Sequence, residues 1–102
     1  MALTSDRVRR ALEAVEDPEM GLSIVELGLV RDIHISNDFV QVELTLTSPS
    51  CPYAPQLIRA VEIAVVHTAP NRKPVVELVW DPPWDPNVDP TEDARAELGI
   101  WT

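Results

Sequence analysis

Residues 32–46 read DIHISNDFVQVELTL. Ile33 and Ile35 alternate with the polar Asp32 and His34, and Val40, Val42, Leu44 and Leu46 alternate with Gln41, Glu43 and Thr45. Alternation with a period of two sends each apolar set to one face of a strand. Ser36-Asn37-Asp38 between the two runs carries turn chemistry, so the stretch predicts a β-hairpin with one buried face. A two-stranded hairpin does not bury such a face by itself, and the flanking sequence must supply the cover.

Upstream, Val8, Ala11, Leu12 and Val15 fall at the i, i+3, i+4, i+7 spacing of an amphipathic helix. With Thr4 or Ser5 as N-cap, the helix is expected over residues 5–16 and is stopped by Asp17-Pro18. The segment EMGLSIVELGLV (19–30) holds two of the three glycines among apolar residues. It predicts an irregular loop packed on the core, bent where glycine permits. Downstream, YAPQLIRAVEIAVVHT (53–68) predicts a second helix with Leu57, Val61, Ala64 and Val65 as its stripe. Pro52 and Pro55 are compatible only with its first turn. VVELVW (75–80) predicts a third strand, DPPWDPNVDP (81–90) is too rich in proline for regular structure, and Thr91 caps a short helix from Glu92 to Leu98 ended by Gly99. The expected fold class is α+β: a small mixed three-stranded sheet packed with two main helices and a short C-terminal helix.

The 102 residues suit a single domain, 1–102, with its own core. No run approaches the roughly 18 apolar residues of a membrane span, and the opening MALTSDRVRR is not a signal peptide, so the expectation is a cytoplasmic protein without a membrane partner. Eight basic residues against 17 acidic ones give a net charge of −9, which repels a phosphate backbone and excludes nucleic acid as the expected partner. Asp81, Asp85, Asp89, Glu92, Asp93 and Glu97 crowd the C-terminal part, either as a solvated face or as a docking surface for a basic protein.

The one cysteine, Cys51, stands in TSPSCP (47–52). A lone cysteine forms no disulfide within the chain; it is a buried small hydrophobe, a nucleophile, or a metal ligand completed from outside. The reading above places it where a core strand gives way to a helix, at or next to the N-cap. Unpaired N–H groups and the positive end of the helix dipole favour a thiolate there. Thr47, Ser48 and Ser50 add hydroxyls. A conventional zinc site is disfavoured, because His67 lies about 24 Å away along the helix and His34 belongs to the polar side of the hairpin. Asp17 and Glu19, after the first helix, are the nearer carboxylates, either as polar partners of the thiol or as ordinary turn residues.

The succession DPEMGLSIVELGLVRDI (17–33), LTLTSPSCP (44–52) and DPPWDPNVDPTEDARAELGI (81–100) resembles the iron–sulfur cluster assembly family with its SufT-like and PaaD-like members. The likeness runs over residues 5–101 with the blocks in order. It implies the α+β fold, a role in maturing iron–sulfur proteins, and one functional cysteine in the T-x-x-x-C-P block. Matched position by position, the functional site is Asp17, Glu19, Thr47, Ser48 and Cys51, with Cys51 the metal ligand. Pro82, Pro83 and Trp84 match the Pro-Pro-Trp block, in which Pro83 and Trp84 either contact a partner or clamp the sheet. Residues 98–102 carry no cysteine-rich segment of the kind typical of PaaD-like proteins, which weakens an oxygenase-specific role.

The resemblance therefore implies a non-enzymatic assembly or carrier factor. Its cargo is iron or an iron–sulfur cluster held transiently on Cys51, or a partner's cluster that Cys51 engages, with the other ligands either shared between chains or supplied by small thiols or non-cysteine groups. Its partners are assembly proteins, apo-clients and a possible second copy. Two rivals stand beside it: an adaptor domain with a structural cysteine, and an enzyme in which Cys51 is the nucleophile and Asp17 or Glu19 moves the proton.

Overall fold

The computed structural model describes residues 3–47 and 52–99. Six elements follow one another: α1 (Ser5–Leu12), β1 (Val30–Ile35), β2 (Phe39–Leu44), α2 (Ala54–Thr68), β3 (Lys73–Leu78) and α3 (Glu92–Glu97). The strands form one sheet in the order β1-β2-β3, with β2 antiparallel to β1 and parallel to β3. The mixed α+β sheet expected from the hairpin, crossover helix and third strand is therefore the observed fold.

The central strand sets the layering. Val40, Val42 and Leu44 are wholly buried on one face, against Val8 and Leu12 of α1 and Leu57, Val61 and Val65 of α2. Each full burial of such a side chain contributes roughly 1.5–3 kcal/mol, enough to fix which face of β2 looks inward. Gln41 and Glu43 consequently share the other face with Asp32 and His34 of β1 and Glu77 of β3, and among the described residues no helix of the core cluster packs on this face.

A break in register between Val30 and Asp32 makes that arrangement possible. Strict alternation would turn Asp32 toward the core beside Val30. The extra residue, Arg31, lets Val30 and Ile33 both face inward and turns Asp32 outward, the usual effect of a β-bulge.

Element ends differ from the sequence reading for local reasons. Thr4 caps α1 by accepting from the Arg7 N–H at 3.2 Å. The helix ends at Leu12 rather than at residue 16, because Ala14 and Val15 bond three residues back, to Ala11 and Leu12, tightening the chain out of the α-helix. Helix α2 starts at Ala54 with Pro55 in its first turn, as required, whereas Pro52 precedes the cap residue Tyr53. Strand β3 occupies Lys73–Leu78 rather than 75–80. Pro74 is accepted opposite Val40 because β3 is an edge strand, and the ladder gives out after Val79 donates to Leu44. Thr91 caps α3 by accepting from the Ala94 N–H.

The proline-rich segment folds back over the loop before β1 and the start of that strand. Trp84 donates its indole N–H to the Leu27 carbonyl at 2.6 Å, Thr91 donates to Glu26 at 2.8 Å, and Arg31 reaches both the Pro82 carbonyl and the Asp89 carboxylate. Gly28 lies beneath this strap with φ +76, and a Cβ there would come within 2.3 Å of the Asp89 carbonyl oxygen. Gly21 also has a positive φ, but open space around it. Gly21→Ala should therefore cost only the left-handed backbone penalty, about 1–2 kcal/mol, while Gly28→Ala should cost clearly more by prying the strap away. Urea unfolding of the two variants at unchanged m checks this, and equal costs would mean that the strap yields freely.

Candidate functional site

Among the described residues, the polar side chains singled out from the sequence have different local roles. Asp17 is 1% exposed, and its Oδ1 accepts from the Glu19 and Met20 N–H groups at 2.9 and 3.1 Å. Its own N–H donates to the Leu22 carbonyl, and its carbonyl accepts from Gly21. Asp17 thus knots the turn that reverses the chain after α1, which a side chain able to hydrogen-bond the backbone two and three residues on does well. Glu19 donates its N–H to that knot but is itself exposed. Hence only one of the two carboxylates is held inside the fold.

Thr47, Pro83 and Trp84 do come together. With Leu46 and Trp80 they line a groove of about 260 Å³ at the end of the strand that leads into the 47–52 stretch. Trp84 has its ring partly buried against the core and its N–H on Leu27, so it is a clamp. It is also a wall of the groove beside Thr47. Sequence spacing gave no sign that residues 47 and 84 share a surface. Ser48 and Cys51 lie outside the described residues. The helix that follows them opens with Ala54, Pro55 and Gln56 and carries no acidic side chain in its first turn, so none there opposes a negative charge at its start.

A profile of the iron-sulfur cluster assembly protein family matches residues 5–78. The chain belongs to that family. Among its relatives, the Fe-S protein maturation auxiliary factor YitW of Bacillus subtilis is 40% identical over 79 residues, spanning 76% of this chain and 78% of that protein. The auxiliary factor SufT of Staphylococcus aureus is 40% identical over 70 residues, 68% of this chain and 80% of that one. An iron-sulfur cluster carrier protein of Synechocystis is 41% identical over 63 residues, which make up 62% of this chain but only 18% of the carrier. A crystal structure of a domain of unknown function from Bacillus anthracis superposes with a TM-score of 0.85 at 36% identity, covering 94% of this chain and 92% of that one.

Two further polar groups were not singled out from the family's blocks. Thr45, on the polar set of the hairpin alternation, is 1% exposed, and among the described residues its hydroxyl has no hydrogen-bond partner. An unpaired buried hydroxyl costs about 1–3 kcal/mol. Thr45→Val, which keeps the shape and removes the hydroxyl, should leave the protein as stable or more stable by chemical denaturation; a clear loss would show that the hydroxyl is partnered.

His34, expected on the polar side of the hairpin, is there. Its Nε2 lies 2.6 Å from Glu43 Oε2 and 3.5 Å from Asp32 Oδ2. The hydrogen bond to Glu43 is the main cause that raises its pKa above the ordinary 6.5; the charges of Asp32, Glu43 and Glu77 add to it and desolvation opposes it. A raised folded-state pKa contributes stability that is fully present below the unfolded value and is lost as pH rises through the folded one. Compared by thermal unfolding in chelator-containing buffer, His34→Gln should lower Tm at pH 5.5–6 (about half a unit to one unit below the ordinary value), with the difference shrinking at alkaline pH. A difference that grows with pH would reverse the sign of this pairing.

Proposed function

We propose that this chain is an iron–sulfur cluster assembly or carrier factor that holds iron or a cluster transiently on the Cys51 thiolate and passes it to apo-clients. The observation that carries the reading is its membership in the iron-sulfur cluster assembly family over residues 5–78, the span that includes the T-x-x-x-C-P block. The names of relatives matched over most of their own length, maturation auxiliary factors in Bacillus subtilis and Staphylococcus aureus, support it. So does the groove, which sets Pro83 and Trp84 beside Thr47, four residues before Cys51.

In this reading residues 1–102 act as one domain, non-enzymatically and in the cytoplasm. Thr47 and Ser48 flank the cargo, Asp17 holds the turn behind it, exposed Glu19 contributes charge at its rim, and Pro83 with Trp84 meets the partner. Among the described residues no helix is long and apolar enough to cross a membrane. Ligand counting shapes the mechanism. A cluster takes about four protein ligands, and the chain has a single cysteine. The remaining ligands therefore come from a second copy, an assembly protein, the client or small thiols. Incomplete coordination favours release, since the client's full ligand set holds the cargo more tightly than one thiolate does.

Anaerobic reconstitution with iron and sulfide, followed by size exclusion and iron and sulfide assays on each peak, tests the reading. The parent should carry fewer clusters than chains, lose iron readily to a chelator, and carry cluster in a dimeric or partner-bound peak. Cys51→Ser should bind little iron and fail to mature an apo-client while unfolding near the parent temperature. A monomer that keeps a full cluster, or Cys51→Ala binding as much iron as the parent, would overturn it.

A further inference from the structure

The open face of the sheet carries a cluster that the cargo reading does not use. Asp32, His34 and Glu43 each offer one donor atom, and the three donors lie within 4.8 Å of one another. Asp32 and Glu43 stand directly opposite in the β1–β2 ladder, and Glu43 stands directly opposite Glu77 in the β2–β3 ladder. A row of three carboxylates thus crosses the sheet strand by strand. Like charges directly opposite one another destabilise a sheet, and among the described residues His34 is the only group hydrogen-bonded or ion-paired to Glu43.

The donors are also aimed. Asp32 Oδ1 accepts from the Ile33 N–H at 2.8 Å, which fixes the carboxylate and leaves Oδ2 toward His34. The bulge at Arg31 is what brings Asp32 to this face at all. Tetrahedral coordination with bonds near 2.0–2.1 Å places neighbouring donors about 3.4 Å apart. His34 Nε2 and Asp32 Oδ2 stand at 3.5 Å, so only the Glu43 carboxylate, now at 2.6 Å from Nε2, must swing outward. Both strands are hydrogen-bonded into the sheet, and a site on such elements keeps its geometry better than one on a loop.

We propose that Asp32, His34 and Glu43 form a binding site for a first-row divalent cation of the zinc type, with Glu77 adding negative potential and water completing the shell. One imidazole with two carboxylates suits such a cation better than magnesium or calcium, which prefer oxygen alone. This site stands independently of Cys51, since none of its donors belongs to the 47–52 stretch.

The test is made in the Cys51→Ala background, so that thiolate binding plays no part. Zinc is titrated calorimetrically, cobalt(II) is followed by its visible absorption, and the imidazole nitrogens are followed by NMR. The expected result is one zinc per chain, a His34 Nε2 signal that shifts on zinc addition, and no competition from a large excess of magnesium. His34→Ala and Glu43→Gln should each weaken binding by more than about tenfold, since losing even an outer partner of a metal ligand costs roughly that. His67→Ala should leave it unchanged. Circular dichroism of each variant checks the fold, and the NMR shift in the unaltered triad needs no substitution. A His34 signal indifferent to zinc, or binding that follows His67 instead, overturns the proposal. Failure of iron loading on Cys51 in the parent would leave this site untouched.

Discussion

Everything in this molecule is arranged about one strand that is bonded along both edges. β2 has no free edge, so its two faces must serve two purposes. Inward, Val40, Val42 and Leu44 form the floor on which both main helices rest. Outward, Gln41 stands opposite His34, and Glu43 stands between Asp32 and Glu77. A slip of one residue would exchange these faces and put two polar side chains under the helices, so the register is set by hydrophobic burial. The remaining geometry follows from it: the crossover through α2 that makes β3 parallel, the outward row of carboxylates, and the delivery of the chain past Leu46 into the cysteine stretch.

Strand alternation and helical periodicity were plain in the sequence because each is a local pattern of period 2 or 3.6. That sufficed for the hairpin, both long helices, the short capped helix at Thr91 and the class of the fold. Less legible were features in which one part of the chain meets another far away. Val30 and Ile33 are three apart and both buried, a spacing that only the bulge at Arg31 reconciles with a strand. The early end of α1 depends on residues 14–17 being drawn into the loop that Asp17 and Leu22 close.

The candidate site divides in the same way. The T-x-x-x-C-P block and the family it belongs to were readable from local sequence, and the family profile spans that block. The sequence could not tell that Asp17 would spend one carboxylate oxygen on two backbone N–H groups, while Glu19, two residues on, remained exposed. Nor could it tell that Trp84 would meet Thr47, because no periodicity links positions 37 residues apart. Trp84 commits its N–H to Leu27, and its ring lines the groove beside Thr47.

The strap from Trp80 to Thr91 also has an order in time. Its bonds join residues 51 to 65 positions apart in the chain, from Arg31–Pro82 to Glu26–Thr91, whereas the hairpin and the β2–α2–β3 crossover close over shorter loops. Contacts at long separation form late, since the entropy of closing the loop must be met before they give anything back. On the ribosome, all residues of the sheet and of both long helices are available once the chain has emerged past residue 78. The groove beside Thr47 does not exist until Pro83 and Trp84 follow. A nascent chain therefore owns its cysteine stretch before it owns the wall next to it, and the surface that Thr47 shares with Trp84 matures after the sheet.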